Sequence, residues 1–346
     1  MKFVYDESIA SYDFGPKHPF RGDRFLSFIE FIMDRREHLE IVGYVGDPPS
    51  WEDLVAVHSP GYLEFLRAKS KSGYGMVSLD TPAFKGMWEA ALSMVHSSLS
   101  AVRIALEEGM SAGFGGAHHA SVNYGGGFCL LNDVAVAVRW VQRSEGIDSV
   151  AIFDHDAHHG NGTMDIFYED DSVLYVSIHQ DPVTIYPGVG FARQVGEGKG
   201  EGYTVNIPLP PGAGPLSYKM AFDEVVRPIM ESFAPELLIA HGGSDPHFLD
   251  PLTQLGQTLR GLWTISRWVS QLEAERRVEL LISGYNPRVR NWGWLSLIRG
   301  FLGEEMNYDA SQIEGVPPIE EEYVLRRSKL AVDDVKQVLS KYWNLS

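Results

Sequence analysis

The chain has little of several things, and each shortage excludes something. It holds one cysteine, Cys129, in 346 residues, which rules out a disulfide framework within the chain and a cysteine-cluster zinc site. It has no run of about 18 apolar residues, so no transmembrane helix and no membrane partner are expected. The opening MKFVYDESIASYDFGPKHPF lacks the apolar core of a secretory leader, and the expected location is the cytoplasm. Positive charge is scarce: 29 Lys and Arg against 46 Asp and Glu, a formal net charge of −17. A non-specific nucleic-acid binder needs a basic footprint, so no nucleic-acid partner is expected. An acidic surface favours a cationic partner instead, such as a lysine-rich chain or a polyamine. Internal repeats, low-complexity tracts and convincing linkers are missing too. What is present is ordinary for a globular protein, with 44% hydrophobic and 22% charged residues.

Short apolar runs alternate with helical patterns. Strands are expected at 2–5, 149–153 (SVAIF), 173–178 (VLYVSI), 203–207 (YTVNI), 237–240 (LLIA) and 278–282 (VELLI). Helices are expected at 24–36, 60–70, 88–108, 130–144, 216–233, 252–272 and 335–343. The third has apolar residues at three- and four-residue spacing: Ala91, Met94, Val95, Leu99, Val102 and Leu106. The stretch 310–318 reads as a loop, and residues 1–346 as one domain. Apolar strands alternating with helices imply an α/β protein with a mostly parallel sheet covered on both faces. In such sheets ligands gather beyond the carboxyl ends of the strands.

Those ends carry unusual residues. The run 149–153 is followed by DHDAHHGNG, 173–178 by HQ, 237–240 by HGGSDPH, and 278–282 by SGYN. Of 12 histidines, six lie between positions 118 and 179, with His118 and His119 in GGAHHA. Asp154, Asp156 and His158 stand at i, i+2 and i+4, which places them on one face if the strand stays extended. Two carboxylates and an imidazole at a strand end suit a divalent metal, and zinc takes Asp oxygen and His nitrogen with a position left open for water. Asp245, beyond the run 237–240, is the candidate that completes a three-ligand set. His155 and His159 have the opposite strand phase and are expected to point elsewhere.

The set GGAHHA, GGGFCLLND, FDHDAHHGNGT, VSIHQ, IYPGVG, GGSDPHFLDPL and SGYN resembles the histone deacetylase superfamily, its prokaryotic members and the acetoin-utilisation type above all. The resemblance runs from about Tyr12 to Tyr285 and beyond. It implies the single-domain, three-layer αβα arginase/deacetylase fold, with a mostly parallel central sheet of about eight strands. It also implies a zinc-dependent amidohydrolase that removes acetyl or other acyl groups from lysine side chains or small amines. Position by position, it implies that Asp156, His158 and Asp245 bind one zinc ion. His118 and His119 would handle protons, with Asp154 hydrogen-bonded to the first and Asn161 beside the second. Tyr285 would polarise the scissile carbonyl. Gly127, Phe128 and Tyr186 would line the acyl-lysine tunnel, Leu252 its rim, and Arg24 an internal acetate exit. A structural potassium ion would sit on Ser177, Ile178 and backbone oxygens of Asp154, Asp156 and His158. His247 would line the entrance.

The residue types suit the reaction. Zinc lowers the pKa of a bound water from 15.7 to about 7, and a neutral imidazole, here His119, can take the proton. Asn161 stands where many relatives have an acid; a neutral partner leaves His119 less basic, as suits a general base. Ser283 replaces an expected glycine, and GFGGAHHA lacks a proline often found before the histidine pair. Neither change removes a ligand. Two oxygens and a nitrogen also accept Fe(II) or Mn(II). Alternatives within reach are an acetylpolyamine amidohydrolase and a catalytically weak acyl-lysine binding module. The sequence leaves the oligomeric state open.

Overall fold

The apolar runs become strands because nothing in them needs water. We describe residues 1–345 of the chain from a computed structural model. It contains the strands β1 (Lys2–Val4), β2 (Glu40–Val42), β3 (Met76–Ser78), β4 (Thr81–Pro82), β5 (Met110–Phe114), β6 (Val150–Asp154), β7 (Val173–Gln180), β8 (Thr204–Leu209), β9 (Leu237–Gly243) and β10 (Arg276–Ser283). The chain forms two compact units, one made of Met1–Asp148, Asn161–Ile166 and Arg276–Ile282, the other of the remaining described residues.

In the first unit β1, β2, β5 and β10 run parallel in the order β2-β1-β5-β10. Lys2 pairs with Glu40 on one side and Ser111 on the other, and Ser111 in turn with Val278. The short β3 and β4 pair antiparallel. The long helix Met87–Glu108 ends at Gly109 in a left-handed cap, and Asn132 caps Asp133–Glu145 by accepting from the Ala135 amide. Phe3, Phe25, Phe28 and Phe114, all fully buried, form an aromatic cluster.

In the second unit β9, β6, β7 and β8 run parallel in that order; Val150 pairs with Val173 and Leu237, and Tyr175 with Thr204. Every residue of β6, β7 and β9 is buried, as strands with both faces covered must be. Helices Leu259–Gln271 and Arg290–Leu302 pack together, and Glu322–Leu339 lies against β8. Eight parallel strands, four in each unit, agree with the expected α/β class.

The six expected strands are all present within two or three residues at their ends. β2 and β5 were not expected: EIV is too short to show a period, and MSAGF is built from small residues. The helix expected over 216–233 is interrupted, with Pro215–Ala221 and Arg227–Phe233 separated by a widened π-turn at Phe222–Val226. Pro228 explains it, because proline has no amide proton for the carbonyl four residues back. The helix expected from 252 begins at Leu259, where Thr258 caps it. Within 310–318, Ala310–Glu314 is a short helix rather than loop. Among the described residues no helix is long and apolar enough to cross a membrane.

Candidate active site

In the second unit, β6 ends at Asp154, and the chain turns at once. The pleat therefore does not aim Asp154, Asp156 and His158 together, and the one-face argument is corrected to a turn held by its own acids. The Asp154 carboxylate accepts from the Asp156 amide at 3.1 Å and from the buried Tyr175 hydroxyl at 2.8 Å. The Asp156 carboxylate accepts from the His158 amide at 2.8 Å. These bonds bring His158 Nδ1 within 3.2 Å of Asp156 Oδ1 and 3.0 Å of Asp245 Oδ2. Asp245 follows β9, and one ligand atom from each of Asp156, His158 and Asp245 lies within 4.8 Å of the others.

The electrostatics of this cluster ask for a cation. Burial alone would lower the pKa of His158, but the two carboxylates overcome it and push the imidazole up to about 10. Burial and then the Asp156 charge raise Asp245. A divalent metal held by Asp156, His158 and Asp245 would answer the same demand as the proton on His158. An N,O,O donor set fits zinc, and also Fe(II) or Mn(II).

Sequence reasoning missed two residues that hold this cluster in place. Ser283, noted only as a replaced glycine, donates its hydroxyl to Asp245 Oδ1 at 2.7 Å. It fits because residue 243 is glycine: a Cβ there would stand 2.1 Å from the Ser283 carbonyl oxygen. Asp250 accepts from the Tyr285 amide at 2.7 Å and from the Leu252 amide at 3.0 Å, tying Tyr285 to the Leu252 loop. Burial pushes its carboxyl up to about 6. The signal was the second aspartate of GGSDPHFLDPL. Tyr285 itself is half-buried, and Tyr186 and Leu252 are exposed.

In the first unit, β5 runs into the GGAHHA loop. Asp133 anchors the loop by accepting from the Gly116 and Ala117 amides at 2.8 and 2.7 Å. The His118 carbonyl accepts from the Thr163 amide at 3.0 Å, and the Ala120 carbonyl from the Asn132 side chain at 3.0 Å. So fixed, both imidazoles are buried, and their Nε2 atoms lie 3.2 Å apart. His119 Nδ1 stands 2.7 Å from Asn161 Oδ1, as the resemblance implies for a neutral partner. The Asn161 amide in turn meets the Tyr124 hydroxyl, a residue the sequence did not single out.

Gly127 and Phe128 both adopt left-handed conformations, with φ of 55° and 68°. The cost of placing phenylalanine there is held by surrounding bonds. The Gly127 amide donates to Asp80, the Phe128 amide to Thr81, and the Phe128 carbonyl accepts from Tyr12 at 2.8 Å. The Phe128 ring meets His18 edge-on at 4.6 Å. Arg24 is fully buried, over the Phe20 ring and donating to the carbonyls of Arg21, Ile282 and Pro19.

His159 Nε2 stands 2.8 Å from Asn206 Oδ1. Ser177 is buried and bonds His179 Nδ1 at 2.8 Å, and Ile178 is buried beside it. His247 is not an entrance residue: it is fully buried and bonded to Glu314 at 2.7 Å. An open pocket of about 440 Å³ lies in the first unit between Tyr62, Phe65, Val77 and Tyr124.

Comparison with known proteins gives a consistent answer. The family model described as a histone deacetylase domain matches residues 18–301. A probable deacetylase of Archaeoglobus fulgidus is 35% identical over 354 aligned positions, which cover 98% of this chain and 98% of that one. The acetoin utilization protein AcuC of Staphylococcus xylosus is 30% identical over 323, covering 88% and 83%. A crystal structure titled as the HDA15 HD domain matches with a TM-score of 0.87 at 28% identity, over 99% of this chain and 97% of that one. That likeness carries the three-layer α/β fold.

Proposed function

The chain belongs to the histone deacetylase family, and from that premise we propose a zinc-dependent amidohydrolase that cleaves the acyl group from an acylated lysine or a small acylated amine. Membership of the family makes the chain a hydrolytic deacetylase. The zinc-dependent reading is supported by the largely buried set Asp156, His158 and Asp245, whose two carboxylates favour a positive charge on or beside the imidazole. A zinc ion held there, with Fe(II) and Mn(II) as compatible substitutes, supplies Lewis acidity toward water and the substrate carbonyl.

The chain's own residues do the rest. His119 takes the proton of the attacking water at Nε2, its Nδ1 proton being held by Asn161. The Tyr285 hydroxyl donates to the carbonyl oxygen as negative charge develops there. His118 returns a proton to the departing amine, with Asp154 favouring its charged form. Phe128 and Tyr186 flank the methylene stem, Gly127 leaves room for it, and Leu252 forms the rim. Potassium is proposed on Ser177, Ile178 and the backbone oxygens of Asp154, Asp156 and His158. The two units serve one deacetylase domain, and the cytoplasm is its proposed location.

Chelation followed by metal addition tests the proposal. Turnover of acetyl-lysine peptides should vanish with the chelator and return with Zn(II). Asp156→Ala and Asp245→Ala should each lose bound metal and turnover together. Full activity from a demonstrably metal-free preparation would refute it.

A further inference from the structure

Tyr124, Asn161 and Asp165 form a chain of polar groups that begins at His119 and ends at a carboxylate. Asn161 and Asp165 lie four residues apart, on one face of the short helix Asn161–Phe167. The Tyr124 hydroxyl reaches both. It meets the Asn161 amide nitrogen and stands 3.3 Å from Asp165 Oδ2. Ser121 Oγ gives Asp165 Oδ2 a second donor at 3.2 Å.

The two ends of an asparagine amide have nearly the same shape and opposite hydrogen-bonding character. If the oxygen faces His119 Nδ1, that nitrogen carries the ring proton and Nε2 keeps a lone pair. If the NH₂ faces it, Nδ1 must accept, the proton moves to Nε2, and the ring cannot act as a base there. Asn161 presents its oxygen, at 2.7 Å. Something must hold it that way, because nothing in the amide's own shape does. A carboxylate at this position would need no such help, since both its oxygens only accept.

We propose that Tyr124 and Asp165 are positioning residues that lock the Asn161 amide, and through it the tautomer of His119, so that Nε2 carries a lone pair rather than a proton. A phenol has one proton to give. Asp165 is a charged acceptor and outcompetes an amide oxygen for it. The Tyr124 oxygen is then left facing Asn161 as an acceptor, and only the amide's N–H end can satisfy it. The Tyr124 ring is 41% exposed, but partial desolvation of its hydroxyl, then the Asp165 charge, pushes the phenol up to about 12, so it keeps the donated proton at neutral pH. The inference rests on reading His119 as the general base.

The test combines a spectrum with a mutant cycle, on the full chain. ¹⁵N-histidine labelling, with His119 assigned by difference against His119→Gln, reports which ring nitrogen carries the proton. The wild type should show Nδ1–H at His119, and Tyr124→Phe should shift signal toward Nε2–H. Tyr124→Phe should lower kcat roughly tenfold with KM, metal content and melting temperature unchanged. Asp165→Asn should act in the same direction. In an Asn161→Asp background, where residue 161 can only accept, Tyr124→Phe should change kcat by less than about twofold. A residue that merely supported the loop would cost the same in both backgrounds. Equal losses in both, or an unchanged His119 tautomer in Tyr124→Phe, would overturn the proposal. A wild type that hydrolyses no acylated amine would instead refute the deacetylase reading, and the tautomer shift would then decide the lock by itself.

Discussion

At the scale of single residues, the groups that carry chemistry are the ones a sequence displays, and those that hold them are not. An acid or imidazole just beyond an apolar strand is conspicuous, because water and backbone give it no reason to be there. Asp156, His158 and Asp245 were legible for that reason, and His118 and His119 because they stand side by side in GGAHHA. Ser283 and Asp250 act by hydrogen bonds to a carboxylate and to backbone amides, and such bonds leave no spacing in the sequence. Two predictions separate these classes. Tyr285→Phe keeps the ring and deletes one hydroxyl, so kcat for an acetyl-lysine substrate should fall by roughly 10²–10³, about 3–4 kcal/mol. Metal content and melting temperature should hold; wild-type turnover would remove the hydroxyl from the mechanism. Ser283→Gly frees Asp245 Oδ1 without touching a ligand, and metal affinity should drop by roughly 10–100-fold. A titration with a competing chelator measures it, and an unchanged dissociation constant would show that Asp245 needs no such partner.

At the scale of elements, most regular patterns were readable and interruptions were not, although the helix Arg290–Leu302 went unexpected and the last helix, expected over 335–343, spans Glu322–Leu339. Strands covered on both faces announce themselves by being wholly apolar, whereas β5 and the widened turn before Pro228 have no periodic signature. The short helix Asn161–Phe167 was missed altogether, since seven residues hold too few turns for a stripe. Yet this helix carries Asn161 to His119, and one glycine permits the approach. A Cβ on residue 162 would stand 2.3 Å from the Ala120 carbonyl oxygen and 2.6 Å from the His119 carbonyl carbon, backbone atoms that cannot swing aside. Gly162→Ala must therefore push the helix from the loop, stretching the Thr163 amide bond to the His118 carbonyl. The expected result is a stability loss of about 1–3 kcal/mol with a larger fall in kcat than in metal content. Denaturant unfolding beside turnover checks it; a variant as stable and active as the wild type would mean that the loop yields freely.

For the molecule as a whole, histidines buried without charge contribute one term to the acid side of the stability curve. His58 and His179 are almost wholly inaccessible. Each has both ring nitrogens engaged: His58 with the Ser121 carbonyl at 2.8 Å and the Asn132 amide at 3.0 Å, His179 with the Gly190 carbonyl and Ser177 Oγ, both at 2.8 Å. His58 Nε2 accepts, so a second ring proton would face an N–H and break that bond. Burial lowers both groups to about 4, from 6.5. The unfolded chain therefore binds protons between pH 6.5 and 4 that the folded chain refuses. The stabilisation is complete above about pH 6.5 and is lost as pH falls toward 4. By pH 5 each histidine should have cost roughly 2 kcal/mol. Asp250, raised to about 6, and Asp245, raised to about 7, work the other way, because their folded forms take up a proton first. A difference measurement isolates the histidine. His58→Gln retains a donor and an acceptor but does not titrate, so the drop in unfolding free energy from pH 7 to pH 5 should be about 2 kcal/mol smaller in the variant than in the wild type. Urea unfolding at the two pH values supplies both numbers. Identical acid dependence in the two proteins would show that His58 charges as readily inside the fold as outside it, and that the amide of Asn132 does not hold its ring neutral.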